Sequence, residues 1–216
     1  MVLLRHGIFS FGATARESYE RMIALVSRAE DYLQRHGAWE LAFAPPPEPP
    51  SVPRHELAVL RRAVCDVAGM PLVMRVRTTP RTRSFAAHPD VGRLSGQGPA
   101  TPDHVIRTKR TPLVGADVAA FAASYREYFE VNALLARTPK AMLDPAPRMV
   151  LDARFGLASL GRTARDAAIV EELYEHTMDV IRRAEALERY EALPARDVFD
   201  VEYWDLEQNK LKQAGK

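Results

Sequence analysis

Six histidines, one cysteine and one short charged segment are where this 216-residue chain could do chemistry. The histidines are His6, His36, His55, His88, His104 and His176, and no two stand two residues apart. A structural or catalytic zinc takes three or four converging ligands, so no single stretch offers a metal more than one imidazole. His6 follows the apolar run at residues 2–4 and precedes Gly7. A histidine there is either a structural residue at a strand end or one ligand of a site completed elsewhere. The stretch 101–109 carries Asp103, His104, Arg107 and Lys109. Together these could hold an anionic ligand. The simpler reading takes Thr101-Pro-Asp103 as a turn and cap, with Arg107 and Lys109 solvated. His88-Pro-Asp90 reads as a turn. Cys65 sits among Leu57, Leu60, Val64 and Val67 at helical spacing and reads as a buried structural thiol. One cysteine makes neither an internal disulfide nor a cysteine zinc site. No serine-histidine-aspartate constellation and no phosphate loop is present.

The elements that must position these residues follow from pattern. Residues 1–11 read as a strand running into a turn at Gly12. Residues 14–33 read as a helix, opened by Thr14 with Glu17 as a capping box and striped by Tyr19, Met22, Ile23, Val26 and Leu33. Residues 44–53 (APPPEPPSVP) are a proline-rich spacer and the expected domain boundary. Beyond it lie a helix at 56–68, a strand at 71–77, a weakly patterned stretch at 81–112 and a short strand at 112–114. A helix at 117–135, a strand at 148–151, a turn region at 156–161 and a helix at 165–188 follow. Phe121, Tyr125, Tyr128 and Phe129 are spaced as a helical core stripe. Tyr203 and Trp204, in the tail 197–216, are expected to pack on the domain or on a neighbour.

The chain repeats itself once. Gly7-Ile-Phe-Ser-Phe-Gly-Ala-Thr-Ala-Arg-Glu17 aligns with Gly156-Leu-Ala-Ser-Leu-Gly-Arg-Thr-Ala-Arg-Asp166 at a constant offset of 149 residues (156 against 7). Each copy follows an apolar strand and leads into a long helix with threonine as N-cap and an acid three residues on. Gly12 and Gly161 are expected to supply positive φ where the chain reverses. The copies differ one residue earlier, where His6 in the first corresponds to Phe155 in the second. Imidazole binds metals and a phenyl ring does not. Phe155 is therefore expected to be buried, against Leu157 and the following helix.

The segment Leu3-Leu-Arg-His-Gly-Ile-Phe-Ser-Phe-Gly-Ala-Thr-Ala-Arg-Glu17 resembles the His-Gly motif of the class II aldolase/adducin family. The stretches 98–110 (GPATPDHVIRTKR) and 198–211 (VFDVEYWDLEQNKL) are similar to the middle of fused rhamnulose-phosphate aldolase/short-chain dehydrogenase proteins. The resemblance implies an α/β fold, a mixed sheet flanked by helices. Residues 1–43 would be the remnant of a first aldolase-like domain, 44–53 a linker, 54–196 a second, metal-less copy, and 197–216 an exit segment. It implies zinc as the cofactor of the complete protein, with His6 as the ligand beside an upstream His-x-His pair. The metal would act as a Lewis acid on a sugar-phosphate substrate, cleaving a ketose phosphate in cytoplasmic carbohydrate catabolism. This chain departs from the pattern: it has no His-x-His pair, no glycine-rich phosphate loop and no dinucleotide motif. The expectation is a piece of such an enzyme, inactive alone and holding no zinc by itself. The alternative is a non-catalytic, adducin-like structural module. The resemblance also allows a homo-oligomer.

Composition narrows the rest. Thirty Lys and Arg against 28 Asp and Glu leave a formal charge of +2, spread without a basic block, which argues against a nucleic-acid partner. No apolar run reaches membrane-span length, and the first twelve residues do not form a signal peptide. A lone cysteine fits a reducing compartment.

Overall fold

The computed structural model describes residues 1–4, 7–41 and 54–213. His6 and the proline-rich segment 44–53 lie outside the described residues. The central element is a four-stranded mixed sheet, order β3-β6-β5-β4, made of β3 (Val73–Arg77), β4 (Leu113–Val114), β5 (Met149–Asp152) and β6 (Gly156–Gly161). The β3–β6 and β5–β6 pairs are antiparallel and β4–β5 is parallel. Helices cover both faces. This is the α/β architecture with a helix-flanked mixed sheet expected from the sequence.

Alternation along the strands sorts the core into two layers. Val150, Ala158 and Leu160 face one side, where helix α2 (Arg54–Ala68) packs Leu60, Val64 and Ala68 and helix α6 (Val118–Ala133) packs Val118. Met149, Leu151 and Leu157 face the other. There α3 (Pro80–Ala86), α4 (Val91–Ser95) and α7 (Ala164–Leu187) supply Phe85, Leu94, Val170, Tyr174, Met178 and Ile181. The apolar positions of α7 recur at helical spacing, so one stripe faces the sheet along its length.

Residues 156–161, read above as a turn region, form the most buried strand. All six residues of β6 are buried. Their small side chains resemble a turn in composition, but strands on both sides and a helix overhead select them for close packing. A Cβ on Gly161 would lie 2.4 Å from the backbone nitrogen of Ala167. The glycine is required by that approach. Neither Gly161 nor Gly12 adopts the positive φ expected of it.

The weakly patterned stretch 81–112 contains α3, α4, a turn of 3-10 helix at Pro102–His104 and α5 (Val105–Thr108). The short helices follow caps: Thr79 and Thr82 close a reciprocal capping box at the start of α3. Toward the C-terminus, α8 (Ala195–Glu202) crosses the boundary expected at 196, and α9 (Asp205–Gln213) follows it. Val198, Phe199, Glu202 and Tyr203 are buried, while Trp204 is 53% exposed.

The N-terminal segment is a small separate unit. The expected single strand is a hairpin of β1 (Val2–Leu3) and β2 (Gly7–Ile8), followed by α1 (Ala15–Arg35). Helix α1 has no buried residue, and Tyr19, Ile23, Val26 and Tyr32 are exposed. The chain returns to the domain just beyond it. Ala38 is fully buried, and the Arg183 guanidinium lies over the Trp39 ring at 4.6 Å.

Candidate functional site

The repeat locates the first candidate. In the second copy, β5 and β6 pair Asp152 with Gly156 and Leu151 with Leu157. In the first, Leu3 pairs with Gly7 and Val2 with Ile8. Offset by 149, these are the same pairs, so the two hairpins share one register. Thr14 and Thr163 then cap their helices from matching extended conformations, φ −131° and −123°. His6 itself lies outside the described residues; its counterpart Phe155 is 3% exposed. The phenyl ring is buried as expected, but against different neighbours. It belongs to the layer of Leu60, Val64 and Val118, whereas Leu157 and α7 lie on the opposite face of the sheet. Residues two apart share a face only while the pleat is regular, and Phe155 precedes β6, in a short turn that reverses the chain after Asp152, with Phe155 N–H donating to the Asp152 carbonyl.

Beside Phe155 is a groove of about 270 Å³, lined by apolar side chains of α2 and by His55, Glu56, Asp152 and Arg154. Its charges are spent on one another. Arg154 donates to Glu56 at 2.6 Å and to Asp152 at 2.9 Å. Burial opposes ionisation of Asp152, but the hydrogen bonds and charge of Arg154 outweigh it and hold the carboxyl below its usual range. Such a triad stiffens the hairpin tip and leaves neither carboxylate free, while the His55 imidazole also stands on the groove wall. Among the described residues no three His, Cys, Asp or Glu side chains gather in a way that could hold a metal. The described residues by themselves therefore do not fit a zinc ion, and no step is derived through one.

The segment 101–109 does not converge on one ligand. Asp103 is exposed, and the charges acting on His104 are those of Asp103 and His176. Burial lowers the His104 imidazole, and its Nδ1 is buried without a hydrogen bond. Lys109, expected in solvent, is 4% exposed. His88 and Asp90 form the expected turn, with Asp90 N–H donating to His88 Nδ1 at 3.1 Å. Cys65 is half-buried and accepts from the Leu72 amide at 3.2 Å, a structural role.

Lys109 is the centre of the second candidate; the sequence named it among four groups for an anionic ligand, but not its burial or its partners on other elements. Its backbone sits at φ 63°, ψ 171°, a region that costs a non-glycine residue about 1–3 kcal/mol and persists only where the surroundings enforce it. That turn carries the side chain inward. Nζ donates to the Asp144 carbonyl at 2.7 Å and lies over the Tyr125 ring at 4.1 Å. Burial lowers the ammonium to about 8, against the opposing charges of Glu202 and Asp144. Glu202, on α8, is fully buried, and desolvation raises its carboxyl above the usual range. Its Oε1 accepts from the Tyr125 hydroxyl at 2.8 Å, and the Tyr125 and Tyr203 hydroxyls are 2.8 Å apart. Burial pushes the Tyr203 phenol up to about 12. Glu202 Oε2 and the Tyr128 hydroxyl are buried with no hydrogen bond. Strain, a displaced lysine and unpaired polar atoms beside a cleft together make this a candidate site. One signal was legible. Val198, Phe199, Glu202 and Tyr203 share a helical stripe, so a carboxylate was due on a buried face. The inward lysine had no comparable pattern.

Residues 51–211 match the family described as "Aldolase class II, second domain". The chain is 25% identical over 238 residues to a protein of Bacillus subtilis (strain 168) named "Uncharacterized oxidoreductase YuxG", an alignment covering 99% of this chain and 34% of that protein. The chain thus spans about a third of the length of that relative. No solved structure matches. Among the described residues no helix is long and apolar enough to cross a membrane. With most of its length matched by the family model, the chain belongs to the class II aldolase family, its residues 51–211 matching the second domain.

Proposed function

We propose that this chain is part of a zinc-dependent class II aldolase that cleaves a ketose phosphate by retro-aldol chemistry, and that it is inactive alone. The domain limits follow the sequence reading: residues 1–43 end a first aldolase-like domain, 44–53 link, and a metal-less second domain begins at 54. What supports this is the shared hairpin register. It makes His6 the counterpart of Phe155, one position before the strand glycine in each copy. The second copy also shows what the first lacks. β6 pairs on one edge with β5 and on the other with β3, whereas among the described residues β2 pairs only with β1. A zinc site assembled around His6 needs that missing part and the upstream His-x-His pair the family uses.

The test is zinc content by mass spectrometry after dialysis, alongside a retro-aldol assay on ketose 1-phosphates. The 216-residue chain should retain no stoichiometric zinc and show no cleavage. A longer product that supplies a His-x-His pair should retain one zinc per chain and lose it in His6→Ala. Stoichiometric zinc in the 216-residue chain, lost in His6→Ala, overturns the claim that the chain is incomplete. Zinc in the longer product that survives His6→Ala overturns the assignment of the ligand.

A further inference from the structure

We propose that the cleft at Lys109 is a binding site for the phosphate group of a small phosphate monoester. The inference stands whether or not the chain is part of a zinc enzyme, and its assay contains no metal.

The lining carries the argument. Lys109, Arg110, Thr111, Phe121, Ser124, Tyr125 and Tyr128 surround the cleft. Two side chains are cations, four bear hydroxyls and none is a carboxylate. A wall made almost wholly of donors is complementary to an oxyanion. The nearby acids, Glu202 and Asp144, are not in the lining: Glu202 Oε1 is taken by Tyr125, and Asp144 is paired with Arg148. The donors are also set in place beforehand. Arg110 Nη1 donates to the Gly96 and Gln97 carbonyls at 3.3 and 3.2 Å, with the guanidinium 5.4 Å from the Tyr128 ring centre. That fixes the plane of the fork and leaves Nη2 for a ligand. Lys109 Nζ uses one proton on the Asp144 carbonyl and has two more to give. The Tyr128 hydroxyl is buried beside the Glu202 carboxyl, which helps raise its phenol, but makes no hydrogen bond of ordinary geometry. A buried donor without a partner is costly, and an incoming oxygen would satisfy it.

Size selects the ligand. The cleft offers about 50 Å³, room for roughly three to five water-sized spheres at about 10–15 Å³ each. That admits one tetrahedral oxyanion and excludes a sugar ring, so the rest of the molecule would project into solvent. The backbone strain at Lys109 then has a purpose. It turns the ammonium toward the cleft beside Arg110, where a relaxed backbone would direct it elsewhere. A dianion meets both cations, while a monocarboxylate has too few oxygens to engage Lys109, Arg110, Ser124 and Tyr128 together.

The experiment is a calorimetric titration of the 216-residue chain with inorganic phosphate, glycerol phosphate and acetate, repeated on variants. Glycerol phosphate should bind saturably and acetate should not. Arg110→Gln, at a half-buried position, should weaken binding about tenfold or more, the loss of one charged hydrogen-bonding partner. Ser124→Ala should weaken it less, and Arg154→Gln, at the hairpin tip, should leave it unchanged. Thermal midpoints of the unliganded variants show that each is folded, so the result does not hang on Lys109→Met, which strips Glu202 of its neighbouring charge. The charged groups around Lys109 are Glu202, Asp144 and Arg148, with Arg110 beside it in the wall. Burial lowers the ammonium to about 8, so the cation is lost and affinity should fall as pH rises through that value. Absence of saturable binding by both phosphate species overturns the proposal. Binding that Arg110→Gln leaves intact, or acetate bound as tightly as glycerol phosphate, does the same.

Discussion

In the first hairpin Leu3 pairs with Gly7, and in the second Asp152 pairs with Gly156. Each strand then reaches a glycine whose missing Cβ lets the following helix start close by: on Gly12 it would meet the Ser18 nitrogen at 2.9 Å, on Gly161 the Ala167 nitrogen at 2.4 Å. A threonine caps each helix. The backbone plan is the same, yet the surroundings are opposite. Ile8 is 37% exposed and its counterpart Leu157 is fully buried. Helix α1 buries no residue, whereas α7 buries seven, from Ala167 to Ile181. Turn chemistry and capping are therefore enough to specify a hairpin joined to a helix. Stability comes from what lies on the other side, because most helical stability in proteins is tertiary packing of one face. The second unit has β3, α2 and α3 to pack against. Among the described residues the first has its own hairpin and one point of contact at Ala38 and Trp39.

The largest test of this contrast is to truncate equivalent core positions. Phe155→Ala should cost about 3–5 kcal/mol and Leu157→Ala about 2–5 kcal/mol in urea unfolding, as large core truncations do. Ile8→Ala should stay within about 0.5 kcal/mol, as exposed substitutions do. Equal losses at Ile8 and Leu157 would mean that the first unit is packed in solution and that the contrast is wrong. Phe155→His adds a sharper arm. It restores an imidazole to the second unit, but among the described residues no three metal-binding side chains gather there, so zinc should still fail to bind.

Next in size is the glycine approach. A methyl at residue 161, the end of β6, collides with backbone atoms in the first turn of α7, and overpacking of that kind costs about 1–3 kcal/mol. Gly161→Ala should lower the global midpoint accordingly. Gly12→Ala meets the Glu17 side chain and the Ser18 nitrogen at longer range. Its effect should be confined to fraying at the start of α1, seen as faster amide exchange there. A loss of global stability from Gly12→Ala matching that from Gly161→Ala would show the two units unfolding together.

Much of this plan was legible before any coordinates. The threonine caps, the long helices and the repeat were readable because each rests on local chemistry at fixed spacing. β6 was not, because Gly-Leu-Ala-Ser-Leu-Gly has the composition of a turn and becomes a strand only between two partners. The short helices in 81–112 were missed because segments of four to seven residues carry too few periods to register. The face of Phe155 was misassigned because the tight turn after Asp152 separates it from Leu157 by a change of layer. Glu202 could have been found on its apolar stripe, at the same helical spacing that marks Phe199 and Tyr203. Lys109 was named for an anionic ligand, but its inward turn was not legible, since it depends on a single strained φ and on partners 16 to 93 residues away, from Tyr125 to Glu202.

The smallest effect discriminates best, because the two caps are nearly identical. Thr14 Oγ1 accepts from Glu17 N–H at 3.1 Å, and Thr163 Oγ1 accepts from Asp166 N–H at 3.1 Å. The acids differ slightly: Asp166 returns a bond to Thr163 N–H, while Glu17 reaches one residue further, to Ala13 N–H, at 2.7 Å. Removing either hydroxyl orphans one donor in the first turn, a loss of about 1 kcal/mol for a helix cap. Locally, then, Thr14→Ala and Thr163→Ala should be equal. Globally they should not. Helix α7 lies across the sheet, so a weakened α7 cap should appear in full in the free energy of unfolding. Helix α1 meets the domain just past its C-terminus, near Trp39, and its cap stands about 30 Å from that contact for a helix of 21 residues rising about 1.5 Å each. Thr14→Ala should therefore speed amide exchange in the first turns of α1 and leave the urea midpoint unchanged. If both variants shift the midpoint alike, the first unit is cooperative with the domain, and the bare face of α1 is covered in solution. If neither shifts it, α7 does not depend on its cap, and its packing on β6 alone carries the helix.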